Sequence, residues 1–226
     1  LHIEFITIHS AALEATRNFY RDTLELPIQQ ESETSFSVQI GSTTFTLHQA
    51  PPGNTPFYHF AFDVPSNQFE EAKSWIQERV SLSKEHDDDE VYFPSIDAKS
   101  LYFEDPSGNI VEWICRLSDA TASSEPFHPT LLQKASEMSL VVHDKLNVAQ
   151  QLESIGVYSR DHQPASAEGL TFLGEREDAV YLLLMPENRV WYFSDKLSVV
   201  HPLSIRLQGA SIEITSSGKF ICSKDN

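Results

Sequence analysis

Two periodicities alternate along the chain. Phe5-Ile6-Thr7-Ile8-His9 carries the period-two, β-branched pattern of a strand. Leu13, Arg17, Tyr20 and Leu24 then recur at helical spacing. Ser35–Ile40 and Thr43–Gln49 follow as two short alternating runs around Gly41-Ser42, a hairpin turn. Pro51-Pro52-Gly53-Asn54 breaks the pattern, and the order starts again. Tyr58 to Val64 reads as a strand, Pro65-Ser66-Asn67 as a helix start, and Phe69, Ala72, Ile76 and Val80 as a helical stripe. Ser100–Glu104 and Ile110–Arg116 are strands joined by Asp105-Pro106-Ser107-Gly108-Asn109, a turn in residue type and length.

Residues 1–116 are therefore expected to hold two strand–helix–strands units. A third begins at Glu137–Asp144, continues as a helix to Ile155 and ends in strands at Leu170–Leu173 and Val180–Met185. The fourth is shortened: Val190–Ser194, Leu203–Leu207 and Ser211–Thr215 are strand-like, with no helix-length segment between them. The small, polar, Pro-bounded stretch after residue 117 reads as a linker. The predicted organisation is a domain at 1–117, a linker at 118–130 and a degenerate second copy at 131–226.

With 40% hydrophobic and 11% aromatic residues, the chain can bury a real core. No apolar run approaches the roughly 20 residues a membrane span needs, and the N-terminal residues read as a strand rather than a secretory signal. The net charge of −17 argues against nucleic acid and anionic membranes as partners and leaves a small-molecule site open. Two cysteines, Cys115 and Cys222, are too few for a disulfide framework; free thiols and a cytoplasmic setting are expected. The acidic run Glu85-His86-Asp87-Asp88-Asp89-Glu90 reads as a solvated loop, since six successive side chains cannot converge on one ion.

The stretch from Phe5 through Leu13-Glu14 and Phe19-Tyr20 to Leu24-Glu25-Leu26 resembles the opening unit of the vicinal-oxygen-chelate superfamily, which includes glyoxalase I, extradiol dioxygenases and bleomycin-resistance proteins. Tyr58-His59-Phe60-Ala61-Phe62 and Glu104 through Glu112 resemble its second unit. The resemblance implies an α+β fold of paired βαβββ modules, curling as an open U-shaped, largely antiparallel sheet around a cleft. It also implies a divalent metal (Fe, Mn, Ni or Zn), no organic cofactor, and ligand positions at Phe5, Thr46, His59 and Glu112.

His59 and Glu112 are good donors for such ions. Phe5 has no lone pair and Thr46 is a poor ligand. By strand alternation His9 and His48 should face the same cleft, displaced by roughly 7 to 14 Å along their strands. His48 is thus the candidate third ligand, and His9, with a side chain that titrates near neutrality, the candidate acid/base. Tyr102 should pair with Glu112 across the hairpin and donate to a substrate oxygen. In the second half, Glu137 falls at a first-strand ligand position and Glu213 corresponds to Glu112; both read as ion-pair or hydrogen-bond partners. Trp191-Tyr192-Phe193 is expected to pack on the first half or on a second subunit, so a homodimer stays open. Three readings remain: a metal-dependent enzyme of the glyoxalase/dioxygenase type acting on a small molecule with vicinal oxygens, a metal-free binder of drugs or aromatics on the same fold, or a structural or regulatory module whose cleft takes no ligand.

Overall fold

A computed structural model describes residues 1–225. The first unit comprises β1 (Ile3–Ser10), α1 (Leu13–Asn18), β2 (Ile28–Glu31), β3 (Ser35–Ile40) and β4 (Thr43–Gln49). The second comprises β5 (His59–Asp63), α2 (Phe69–Gln77), β6 (Val91–Phe93), β7 (Ala98–Glu104) and β8 (Ile110–Arg116). The third holds β9 (Ala135–Val142), α3 (Lys145–Ser154), β10 (Thr171–Leu173) and β11 (Tyr181–Pro186), and the fourth β12 (Leu203–Leu207), β13 (Ala210–Ile214) and β14 (Phe220–Lys224). The class is α+β, built from paired modules as expected. No described helix is long and apolar enough to cross a membrane.

The units pair across the middle of the chain. One seven-stranded sheet runs β14-β13-β12-β1-β4-β3-β2, the other β10-β11-β9-β5-β8-β7-β6. Antiparallel junctions β1–β12 and β5–β9 join the first unit to the fourth and the second to the third. Within each sheet the first and last strands of a unit lie parallel, β1 on β4 and β5 on β8, and such pairs need a helical crossover. The helical stripes found in the sequence supply it.

Strand alternation divides the faces. Ile6, Ile8, Phe45 and Leu47 of the first sheet meet Phe60, Phe62, Val111 and Trp113 of the second in one core. Phe45 ties the sheets together, with ring centroids 4.7 Å from Phe60 and 5.6 Å from Phe62. The opposite face of the second sheet carries His59, Ala61, Tyr102, Glu112 and Glu137. Gly41, in the β3–β4 turn at φ +53°, abuts the Gln133 carbonyl so closely that a Cβ would lie 1.6 Å from its oxygen, so only glycine fits.

Two local expectations change. Val190–Ser194 is not a sheet strand: it folds into a tight hairpin, with Val190 bridged to Leu197. Its apolar residues cover the second sheet instead of joining one. The helix predicted over Leu13 to Leu24 ends as α at Asn18 and continues through a π turn, Phe19–Thr23, that buries Tyr20.

Candidate active site

A row of cross-strand neighbours crosses the second sheet: Tyr102 opposite Glu112, Glu112 beside Ala61, Ala61 opposite Glu137, and Glu137 beside Tyr181. All five share one face. Adjacent strands are about 4.8 Å apart, so the two glutamates flank a methyl group and lean over it toward each other. His59 lies two residues from Ala61 on β5 and points to the same face. One donor atom each from His59, Glu112 and Glu137 fall within 4.8 Å of one another, and all three residues are buried.

The ring of His59 is oriented by its surroundings. Its Nδ1–H donates to the Ile110 carbonyl at 3.0 Å, which leaves Nε2 facing the Glu112 carboxylate at 3.4 Å. Burial alone lowers the His59 pKa, but Glu112 first, then Glu137 and the Ile110 carbonyl, outweigh it and raise it. Burial, reinforced by Glu112, pushes the Glu137 carboxyl up to about 7, against the pull of Arg116 and His59. Burial and the two carboxylates hold the Tyr102 phenol well above its ordinary range, so it stays protonated.

Behind the row sits a buried cation. Arg116 donates to Glu137 at 2.8 Å and lies 3.5 Å from Asp63, with Lys134 3.6 Å from the same aspartate. Two buried carboxylates side by side disfavour each other's charge, and a divalent cation between them and an imidazole offsets both desolvation and repulsion. The donors therefore fit a metal of the Mn, Fe, Ni or Zn kind.

Above the donors is a cavity of about 410 Å³, walled by Phe93, Tyr102, Phe172, Trp191 and Tyr192. Trp191 lies 5.1 Å from the His59 ring and Phe193 stacks on Tyr102 at 4.6 Å and 15°. The Trp191-Tyr192-Phe193 cluster thus packs on the second unit of its own chain. Lys196 fastens the hairpin to the β7–β8 turn through Glu104 at 2.8 Å and the Gly108 carbonyl at 2.6 Å.

His9 and His48 stand elsewhere. They are neighbours on β1 and β4, ring centroids 6.2 Å apart, on the outward face of the first sheet. His9 Nδ1 lies 3.3 Å from the Pro202 carbonyl, and His48 is largely exposed. The expectation of one cleft for His9, His48, His59 and Glu112 is corrected. Strand parity puts the first pair on one face, but of a different sheet. Phe5, half exposed, shares that face. The third donor beside His59 and Glu112 is Glu137, expected from the sequence to be an ion-pair or hydrogen-bond partner. It is that as well, through Arg116. Its first-strand ligand position was the signal; the missing knowledge was that the third unit pairs with the second.

The metallothiol transferase FosB of Staphylococcus haemolyticus is 31% identical over 117 residues, 49% of this chain and 80% of that protein. The FosB of Staphylococcus epidermidis is 30% identical over the same length. The chain belongs to the vicinal-oxygen-chelate superfamily. The model of the toxoflavin-degrading enzyme family matches residues 135–189, the segment that carries Glu137, Phe172 and part of the cavity wall. A solved putative dioxygenase from Bacillus subtilis has the same fold at 16% identity and a TM-score of 0.56, covering 81% of this chain and 63% of that one.

Proposed function

We propose that this vicinal-oxygen-chelate protein is a metal-dependent enzyme acting on a small planar aromatic molecule with neighbouring oxygen atoms. The observation that carries the reading is the convergence of His59, Glu112 and Glu137 at the floor of an aromatic-walled cavity. When bound there, a divalent ion would supply Lewis-acid polarisation of the chelated oxygens.

The chain's own residues do the rest. Ile110 fixes the tautomer of His59, and Arg116 fixes the Glu137 carboxylate. Tyr102, kept protonated, donates a hydrogen bond to a substrate oxygen. Trp191, Tyr192 and Phe172 hold the ring system flat and exclude water from the donors. The substrate's name is best sought among planar heterocycles such as toxoflavin, given the profile over residues 135–189. The free thiols Cys115 and Cys222 fit a cytoplasmic setting, and no pairing with a second copy is required for the cavity.

Arg116 favours one second reading, a metal-free binder of aromatics, because it already neutralises Glu137 without an ion. Elemental analysis of protein equilibrated separately with Mn(II), Fe(II), Ni(II) and Zn(II), then freed of excess, decides between them. About one ion per chain, reduced sharply by His59→Ala and Glu112→Gln, is expected for the enzyme. Metal-free protein that nevertheless binds aromatics would leave the second reading standing. Loss of toxoflavin absorbance, against thiol transfer as the comparison reaction, then tests turnover.

A further inference from the structure

Arg160 enters the cavity wall from the turn between α3 and β10, where its backbone N–H donates to the Phe172 carbonyl at 2.8 Å. The guanidinium lies 4.5 Å from the Phe172 ring centroid and 5.7 Å from that of Tyr181. Its side chain is only 18% exposed, and its Nε has no hydrogen-bond partner. The carboxylate within ion-pair range, Asp161, is 3.7 Å away and is engaged by Arg176. The guanidinium carries five donors in a rigid fork, and the buried Nε–H is costly to leave unmatched.

The cavity carries both signs: Glu112 and Glu137 at its floor, Arg160 and Arg189 in its wall. Arg189 lines the same cavity and makes no ion pair among the described residues. Lys145, close enough to Arg189 to feel its charge, spends its donors on the carbonyls of Glu168 and Gly169 at 3.3 and 3.1 Å. Asp161 offers Arg160 one long contact from its second oxygen, so the Nε of the fork is left unmatched in the cavity wall.

We propose that Arg160 determines substrate class: it receives two adjacent acceptor atoms on the edge of the aromatic ligand, a carboxylate or a carbonyl beside a ring nitrogen. Bidentate acceptance suits the planar fork, and stacking on Phe172 pre-orients it. Arg189 adds charge at the mouth. This assignment rests on the cavity being the ligand site proposed above, but not on a metal being bound.

The test is calorimetric titration of the full chain with naphthalene-2-carboxylate and with its neutral counterpart naphthalene-2-carboxamide, once with Mn(II) and once after chelator treatment. The wild type should prefer the carboxylate by roughly ten- to a hundred-fold in both conditions, the range expected of charge-assisted hydrogen bonds. Arg160→Met should abolish the preference. Arg160→Lys, which keeps the charge but not the planar fork, should retain only part of it. Equal binding, or no binding, of the two probes by wild type overturns the proposal, as does a preference that survives in Arg160→Met. A preference seen only with Mn(II) and unchanged in Arg160→Met assigns the carboxylate to the metal and leaves the metal reading intact. A preference lost in Arg160→Met from protein that never takes up Mn(II) supports Arg160 and removes the metal.

Discussion

Glu112 and Glu137 flank Ala61 in a single row across three strands, so two carboxylates 25 positions apart in the chain meet over one methyl group. The pairing depends on the β5–β9 junction, where the second and third units meet. Neither unit alone assembles the three donors.

This arrangement predicts how the protein responds to metal. A ligand that binds only the native state stabilises it by about 2.7 kcal/mol at a hundredfold excess over its Kd. Mn(II) should therefore raise the melting temperature of the wild type by several degrees. In Glu137→Gln most of that rise should vanish, while the metal-free variant, having lost the buried ion pair to Arg116, melts lower than wild type. His48→Ala, on the other sheet, should respond to Mn(II) as wild type does. A thermal shift assay with and without chelator reads all three, and a lost response in His48→Ala would move the site to the first sheet.

Arg116 should be far more sensitive than any surface cation. It lies between Asp63 and Glu137 and over the Tyr181 ring at 5.6 Å. Arg116→Met keeps the volume of the stem but leaves buried Glu137 without its cation and buried Asp63 with Lys134 alone, a class of change that costs about 3–5 kcal/mol. Adding Asp63→Asn should recover a good part of the loss. Urea unfolding of the single and double variants measures this; a double variant as unstable as the single would mean Asp63 is not the group Arg116 neutralises.

How much of this was legible beforehand follows from range. The β5 and β8 strands, the Asp105-Pro106-Ser107-Gly108-Asn109 turn and the α2 stripe are local patterns, and each stood in the sequence. His59 and Glu112 were legible because motifs surround them. Which unit pairs with which is written in no local pattern, so the sequence alone points His9 and His48 to the wrong partners and gives Glu137 only a structural role. β6 is only three residues long, and β14 is an edge strand with little buried surface, so neither had enough alternation to stand out. Val190–Ser194 looked like a strand because it is apolar, yet its apolar residues serve the cavity.

The β7–β8 turn should leave a mark on the pH dependence of stability. Asp105 is buried beneath it and accepts from the Ser107 and Asn109 backbone N–H groups, the Asn109 side chain and the Tyr20 hydroxyl. Burial outweighs these donors and raises its pKa from 3.8 to about 6. Between those values the native state holds a proton the unfolded chain has released, so the stability contributed by this group falls as pH rises. Asp105→Asn should be less stable than wild type throughout, from lost acceptor capacity. The gap between the two should narrow from about pH 4 to about pH 6. Chemical denaturation at several pH values checks it; a gap that widens over this interval would mean the carboxylate is ionised through it.

The cover over the cavity makes a sharper test, because two opposing effects meet at Phe193. Its ring is buried and stacked on Tyr102 at 4.6 Å, while its backbone sits at φ +54°, in the left-handed region that favours glycine. Phe193→Ala removes the ring and keeps the strain, and should cost about 3–5 kcal/mol, the range for a buried aromatic. Glycine elsewhere is usually about 1 kcal/mol worse than alanine. At this position it should be equal or better, since φ +54° costs it nothing. Both variants should also widen the cavity over Tyr102 and weaken binding of planar ligands while leaving metal content unchanged. Glycine that is clearly less stable than alanine would show that the hairpin does not hold Phe193 in this conformation, and that the stack on Tyr102 is not what closes the site.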